Sequence, residues 1–110
     1  MEILEVKQGA LVILEIWGRL DASTSPDLER SFLSLLDRGE RNVLIDFERL
    51  QYISSAGLRV LLLAAKRTAE AGGRLSLCAM GNDIREVFEI AGFTSIFQIH
   101  PTRLDAVGRT

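Results

Sequence analysis

Two adjacent serines, Ser54 and Ser55, are the residues of this chain best placed to take part in chemistry. They lie between an apolar run and a helix-like run, in the stretch YISSAGLRVLL at positions 52–62. A serine hydroxyl in such a place can cap a helix, act as a nucleophile or accept a phosphate. The pattern predicts that Ser54 is the N-cap of a helix, worth about 1 kcal/mol, and that Ser55 is the first helical residue. The Ser55 hydroxyl would then stand at the positive end of the helix dipole.

A nucleophilic serine needs a general base within hydrogen-bond reach, and the only histidine of the sequence is His100. The G-x-S-x-G motif of hydrolases does not fit, because Ile53 stands two residues before Ser55 where that motif has glycine. No metal-ligand spacing and no G-x-x-x-x-G-K-[ST] phosphate loop occurs in the sequence. We therefore expect no enzyme, no metal and no cofactor, and a serine hydrolase remains the minor alternative.

Two further residues could do chemistry but have ordinary structural interpretations. As a phosphoacceptor carboxylate, Asp46 would need a cluster of acids after the first strand and a lysine after a later one. The sequence has neither, so we expect a hydrogen-bonded carboxylate at a strand end. Cys78 is the only cysteine and lies between Leu77 and Ala79, which predicts a buried, inert thiol.

The composition is typical of a soluble globular protein. The chain has 110 residues, 47% of them hydrophobic, and a formal net charge of −2, which predicts one domain over residues 1–110. No basic stripe could neutralise a nucleic-acid backbone, so we expect no nucleic-acid partner. The N-terminal MEILEVKQ lacks the pattern of a signal peptide, and no apolar run is long enough to span a bilayer. We therefore expect a cytoplasmic protein without direct membrane insertion.

The elements that must position the serines can be read from periodicity and turn residues. Strand-like runs at 3–7 and 10–17, separated by Gln8-Gly9, predict an antiparallel hairpin. Further strands are predicted at 43–47, 75–79 and 96–99. Helices are predicted with Ser25 as N-cap and an end at Gly39, from Ala56 to about Glu70, from about Asn82 to Gly92, and a short one opened by Pro101.

This order of elements predicts an α/β fold in which a single mixed sheet, opened by the hairpin, has right-handed parallel crossovers and about four helices. The first helix has apolar residues at i, i+4, i+7 and i+8, which are Leu28, Phe32, Leu35 and Leu36, and the next two helices each have a predicted buried stripe. For the helix after the serines the stripe is Leu58, Leu61, Leu62, Ala65 and Ala69, and for the next helix it is Ile84, Val87, Phe88 and Ala91.

The segments GRLDAST, LIDFERLQYISSAGLRVLL, AGGRLSLCAM and EIAGFTSIF, in this order, resemble a STAS domain of the bacterial anti-sigma factor antagonist type. The resemblance covers nearly the entire chain. Its most specific part is the helix start, where these antagonists typically show Asp-Ser-[Ser/Thr]-Gly-Leu. The phosphorylated serine of the family falls on Ser55, and its glycine and leucine fall on Gly57 and Leu58. This sequence departs from the family at Ser54, which replaces the acid, and at Ala56, which replaces a hydroxyl residue.

The resemblance implies a SpoIIAA-like fold and a non-enzymatic switch that regulates transcription indirectly. Unphosphorylated, the protein would bind an anti-sigma factor serine kinase and so free the sigma factor. Phosphorylation by that kinase with ATP would separate the pair, and a PP2C-type phosphatase would restore it. The alternative is a STAS subunit that docks constitutively on a membrane lipid-transport complex.

The surface expected to meet the partner combines the loop before the first helix, the serine connection and the outer face of the following helix. On that face Leu63 could equally be an incidental exposed leucine on a solvated surface, and Asp21 could simply stabilise a turn. The expected partner-binding residues are Asp21, Ser23, Thr24, Ser54, Ala56, Gly57, Arg59, Leu63 and Lys66.

Overall fold

The fold opens with the predicted hairpin. In the computed structural model, which describes residues 1–108, strands β1 (Glu2–Gln8) and β2 (Leu11–Leu20) pair antiparallel. Gln8 lies opposite Leu11 across a two-residue turn in which Gly9 has a φ of 63°. Glycine adopts this left-handed conformation without a steric penalty, which is why the strands can reverse so tightly.

The remaining elements continue the hairpin into one six-stranded mixed sheet. In chain order they are α1 (Ser25–Asp37), β3 (Asn42–Asp46), β4 (Leu50–Ile53), α2 (Ser55–Glu70), β5 (Arg74–Cys78), α3 (Asn82–Ile90), a 3₁₀ turn (Phe93–Ser95), β6 (Gln98–His100) and α4 (Arg103–Val107). The strand order is β1-β2-β3-β5-β6, with β4 paired to the end of β2. All pairings after the hairpin are parallel. This architecture confirms the predicted fold class.

The sheet separates a large apolar core from a small one. Alternate residues of a strand point to opposite faces, and Val12, Leu14 and Ile16 of β2 join the large core, to which α1, α2 and α3 contribute. The other face carries a smaller cluster covered in part by α4: Leu11, Ile13, Leu44, Cys78 and Ala106. Within residues 1–108, no helix combines the length and the apolar character needed to cross a bilayer.

The start of α1 differs from the prediction by one residue. Thr24 is the N-cap and Ser25 is the first helical residue, so the assignment of Ser25 as N-cap was wrong. The reason is a tight turn at Asp21, which brings the Asp21 carbonyl oxygen within 2.6 Å of the Ser25 hydroxyl. Ser25 donates its hydrogen bond back to this carbonyl and is buried.

Helix α2 is rotated relative to the predicted buried stripe. Leu61 is buried as predicted, but Leu62 is 41% exposed and Ala69 is exposed, so the predicted stripe was wrong at those two positions. The cause is Gly57, where an added Cβ would lie only 2.9 Å from the Leu20 carbonyl oxygen. The helix approaches the sheet on its glycine side, and its buried residues are Gly57, Val60, Leu61, Ala64 and Thr68.

Helix α3 has the predicted inward residues at its centre but not at its end. Ile84 and Phe88 are buried, whereas Ala91 is the exposed C-cap, so its assignment to the core was wrong. Gly92 has a φ of 76° and reverses the chain as predicted. Phe93 then packs edge-on against Phe88, with ring centroids 6.0 Å apart.

Three strands differ from the sequence prediction by more than one residue. Strand β2 was predicted to end at residue 17 but runs to Leu20. The last strand was predicted at 96–99 but runs over Gln98–His100, because the 3₁₀ turn that precedes it extends to Ser95, with Ile96 as its C-cap. Strand β4 was not predicted, since its four residues are bounded by no strong turn signal. It forms by parallel pairing with the distant end of β2, past a bulge between Gly18 and Arg19. The sequence also predicts fraying over Gly108–Thr110, at the end of the chain. Residues 109–110 lie outside the described part of the chain.

Candidate functional site

The pairing of β2 with β4 brings the two predicted functional segments to one end of the sheet. Leu20 pairs with Ile53 in the parallel register, so Asp21 and Ser54 are the next residues along each strand. The backbone N–H of Ser54 donates to the carbonyl oxygen of Leu20 at 2.9 Å. The loop that begins at Asp21 and the serine connection are therefore direct neighbours.

The two serines have different surroundings. Ser54 has an extended backbone (φ −102°, ψ 176°), and its hydroxyl oxygen accepts a hydrogen bond from the Gly57 N–H at 3.4 Å. This geometry confirms Ser54 as the N-cap of α2. Ser55 is the first residue of the helix and is exposed. No hydrogen bond within residues 1–108 occupies the Ser55 hydroxyl, which leaves that oxygen open to solvent and to another molecule.

Gly57 fixes how closely the start of α2 approaches the sheet. A Cβ at this position would lie 2.8 Å from Leu20 Cγ and 2.9 Å from Ile53 Cγ1, which is too close for real side chains. Gly57 is buried, and Ala56 beside it is half-buried. The glycine thus acts from inside the fold, by setting the position at which Ser55 projects.

A turn built on Asp21 organises the neighbouring loop. Asp21 Oδ1 accepts hydrogen bonds from Ser23 N at 3.0 Å, Ser23 Oγ at 2.8 Å and Thr24 N at 3.2 Å. Thr24 Oγ1 donates to the Arg19 carbonyl oxygen at 2.8 Å. These bonds, above all the one from the Ser23 hydroxyl, hold the pKa of Asp21 below its usual range. The turn-stabilising interpretation of Asp21 is therefore confirmed.

Arg19 and Tyr52 form a contact beside this turn that the sequence analysis did not identify. The Arg19 guanidinium lies 4.1 Å from the centre of the Tyr52 ring, and Arg19 Nε is 3.7 Å from Asp21 Oδ2. Arg19 and Tyr52 are register partners across β2 and β4. The sequence signal for this pair becomes visible only when β4 is recognised as a strand.

The outer face of α2 contains the remaining predicted contact residues. Arg59 and Lys66 are exposed, as a partner surface requires. Leu63 is half-buried, and it borders a small crevice that also involves Phe32 of α1. The more exposed leucine of this helix is Leu62, which the sequence analysis had placed in the core.

The same arrangement of strands and helices is found in known proteins. The STAS domain family model matches residues 3–106. This chain belongs to the STAS domain family. It is 42% identical over 103 residues to BtrV of Bordetella bronchiseptica, a protein named as a candidate anti-sigma factor antagonist, and the match covers 94% of this chain and 89% of BtrV.

Solved structures show the same fold at low sequence identity. A Thermotoga maritima protein described as a candidate anti-sigma factor antagonist superposes with a TM-score of 0.92 at 18% identity, over 97% of this chain and 92% of that one. The Bacillus cell fate determinant SpoIIAA in its phosphorylated form gives a TM-score of 0.78 at 20% identity, over 98% of each chain. Both likenesses concern the fold alone.

A second polar cluster of this STAS domain lies on the sheet face that carries α4. Asp46 is 4% exposed and accepts a hydrogen bond from the Glu48 N–H at 2.9 Å, as predicted for a strand-end carboxylate. Arg103 Nη1 lies 2.6 Å from Glu15 Oε2 and 3.5 Å from Asp46 Oδ2. The Arg103 hydrogen bond holds the pKa of Glu15 below its usual range. The cluster ties α4 to β2 and β3.

Cys78 has the buried position that its apolar neighbours predicted. It is fully buried on β5, and burial raises the pKa of its thiol to about 12. The thiolate is the reactive form of cysteine. A thiol with so high a pKa remains protonated at neutral pH and is inert.

Proposed function

We propose that this STAS domain is a cytoplasmic anti-sigma factor antagonist that works as a phosphorylation-controlled protein-binding switch. In its unmodified form it binds an anti-sigma factor serine kinase, which then releases its sigma factor. The kinase transfers the γ-phosphoryl group of ATP to Ser55 Oγ, which loses its proton as ADP leaves. The phosphorylated protein dissociates, and a PP2C-type phosphatase hydrolyses the phosphate ester. The observation that carries this proposal is the exposed Ser55 hydroxyl at the start of α2, with no intramolecular hydrogen bond within residues 1–108.

The position of Ser55 supports a modification that leaves the fold intact. A phosphate adds about −1.5 to −2 charges at neutral pH, and at a helix N-terminus it lies at the favourable end of the dipole. The phosphate must then act by lowering the affinity for the partner. A like-charge pair about 4 Å apart costs about 4 kcal/mol at an effective dielectric constant near 20. Since about 1.4 kcal/mol changes affinity tenfold, one such contact is enough to release a micromolar partner.

The proposed partner surface extends from Ser55 in two directions. The Asp21 turn lies on one side, because Leu20 and Ile53 are register partners. The exposed Arg59 and Lys66 follow along the helix. Gly57 takes part by positioning the serine. The proposed contact residues are Asp21, Ser23, Thr24, Ser54, Ala56, Arg59, Leu63 and Lys66.

We also propose that the protein is not an enzyme. His100 is the register partner of Cys78 on β5. Cys78 pairs in turn with Asp46 on β3, and Asp46 pairs with Glu15 on β2. Ser54 follows Ile53, which is level with Leu20. Because strands rise about 3.3 Å per residue, the histidine and the serines are on the order of 15 Å apart along the strand direction alone. A general base must lie within hydrogen-bond reach of the hydroxyl that it deprotonates. His100 is therefore too far from the Ser55 hydroxyl to act as its base.

The experiment that tests this function combines site mapping with binding. The protein is incubated with ATP and its cognate kinase, and the phosphate is located by mass spectrometry, where we expect it on Ser55. In calorimetry, Ser55→Ala should bind the kinase constitutively, and Ser55→Asp should weaken binding by about tenfold or more. Ser34→Asp, at an exposed position of α1, is the matched control for added charge and should bind normally.

Two results would contradict the proposal. Phosphate found only on another residue would remove Ser55 as the acceptor. Equal affinities of the Ser55→Ala and Ser55→Asp variants for the kinase would show that charge at this position does not control binding, as expected for a constitutively docked STAS subunit.

A further inference from the structure

A groove runs along the outer side of α2. It is open to solvent, has a volume of about 600 Å³ and lies between the helix and the segment that follows the 3₁₀ turn. Leu62 is 41% exposed and Ile96 is 52% exposed, so large apolar side chains on its two walls are in contact with solvent. The apolar side chains of the groove are Leu62, Leu63, Ala65, Ala69 and Ile96.

Positive charges border this groove without compensating acids. Arg59 and Lys66 lie at its edge, and Arg67 follows on the same helix. Glu70 is the only acidic residue of α2. Within residues 1–108, none of these three cations takes part in an ion pair, although the chain as a whole has a net charge of −2. The groove is therefore apolar at its floor, cationic at its edge and complementary to an acidic amphipathic segment.

We propose that this groove binds an amphipathic α-helix of a protein partner, with apolar side chains inserted between Leu62 and Ile96 and acidic side chains facing Arg59 and Lys66. The length of the groove fits such a helix. From Arg59 to Ala69 the axis of α2 rises about 15 Å, whereas residues i and i+7 of a bound helix are about 10 Å apart. A ligand of two to three turns thus presents apolar residues at i, i+3 or i+4, and i+7. The proposed function enters this inference at one point, because it decides which partner protein supplies the helix.

Two other occupants fit the groove less well. A second copy of this chain, bound through the same helix, would bring Arg59, Lys66 and Arg67 against their own counterparts, and such like-charge contacts oppose association. A lipid surface needs apolar side chains that project outward into the bilayer interface. Here two large apolar side chains, Leu62 and Ile96, are exposed at the groove, and the strength of membrane binding scales with the apolar area that is buried.

The groove begins about one helical turn beyond the site of phosphorylation. Arg59, at its near end, is four residues after Ser55, or about 6 Å along the helix axis, which is within the Debye length of about 8 Å at physiological ionic strength. Lys66 is about 16 Å from Ser55 along the axis, beyond that length. A phosphate on Ser55 should therefore weaken the contacts of the bound helix at Arg59 and leave those at Lys66 and between Leu62 and Ile96 in place.

The test uses the full chain, labelled with ¹⁵N, and a designed helical peptide of about 15 residues with leucines at i, i+3 and i+7 flanked by glutamates. We expect amide shifts concentrated at Leu62, Ala65, Ala69 and Ile96. Leu62→Glu should weaken peptide binding by about tenfold or more, because a carboxylate would replace the apolar side chain on one wall of the groove. Lys66→Glu should also weaken peptide binding. A second peptide, with lysines in place of the glutamates, should restore binding to the Lys66→Glu variant.

A matched control and separate readouts distinguish this proposal from the function of Ser55. Ile90→Glu, at an exposed position of α3 outside the groove, should leave peptide affinity unchanged. If the kinase phosphorylates Ser55 normally but the peptide fails to bind or binds elsewhere, the groove proposal is wrong and the switch stands. If the peptide binds as expected while Ser55 is never phosphorylated, the groove stands and the switch is wrong. Binding to phosphatidylglycerol vesicles that is lost in Leu62→Glu, without peptide binding, would assign the groove to a membrane and overturn the proposal.

Discussion

The two faces of helix α2 are both rich in apolar residues, yet only one of them is buried. The inner face contains Gly57, Leu61 and Ala64 and packs on the sheet. The outer face contains Leu62 and borders solvent. The difference does not follow from hydrophobicity, since leucine at position 61 is buried and leucine at position 62 is not.

What decides between the faces is how closely the helix can approach the strands. Gly57 lets the first turn of α2 approach the ends of β2 and β4, because it has no Cβ to meet the Leu20 carbonyl oxygen. Once that contact is made, the rotation of the whole helix is fixed. The leucine on the outer face is then left for a partner, and the exposed Ser55 lies at the start of the same helix.

The largest expected difference between the two faces concerns the adjacent leucines. Leu61→Ala should lower the free energy of unfolding by about 2–5 kcal/mol, since it leaves a cavity in the large core. Leu62→Ala should lower it by less than about 1 kcal/mol, because its side chain is partly solvated already. Urea denaturation followed by circular dichroism measures both. Similar losses for the two variants would mean that the helix is rotated differently.

A smaller effect is expected for the glycine that fixes this rotation. Gly57→Ala should destabilise the protein by about 1 kcal/mol, because overpacking of about 1–3 kcal/mol exceeds the gain of about 1 kcal/mol in helix propensity. Gly81→Ala is the control, since a Cβ there has nothing within 4 Å. Thermal unfolding compares the two. A Gly57→Ala variant more stable than the original chain would contradict the close approach.

The smallest effects should distinguish the two serines. Ser54→Ala should cost about 0.5–1 kcal/mol, at the lower end for an N-cap because its hydrogen bond to Gly57 N is long at 3.4 Å. Ser55→Ala should change stability by less than about 0.5 kcal/mol, as for an exposed side chain without structural contacts. Chemical denaturation resolves the difference. A greater loss for Ser55→Ala than for Ser54→Ala would show that the Ser55 hydroxyl has a structural role.

The parts of the fold that were predicted correctly depend on local signals. The hairpin follows from Gly9 between two β-branched runs, and the start of α2 follows from Ser54 before a helical pattern. A turn or a cap involves residues only a few positions apart, so their types are enough to specify it. The candidate serine was found for the same reason.

Several features that the sequence did not predict involve residues that are far apart in the sequence. Strand β4 exists because its four residues pair with the end of β2. The hydrogen bond between Arg103 and Glu15 joins residues 88 positions apart, so no local sequence pattern could predict it. The exposed position of Ile96 likewise depends on where the 3₁₀ turn places it beside α2.

The sequence by itself determined the order of the helices and of every strand except β4, the cap at Ser54 and the place of Ser55 at the first turn of α2, because short-range sterics and hydrogen bonding decide those features. Only the tertiary structure decided which face of α2 is buried and which segments surround the serine. Those outcomes depend on how closely packed surfaces fit, as Gly57 does against the Leu20 carbonyl oxygen. Such a surface forms only when β2 and β4 have paired.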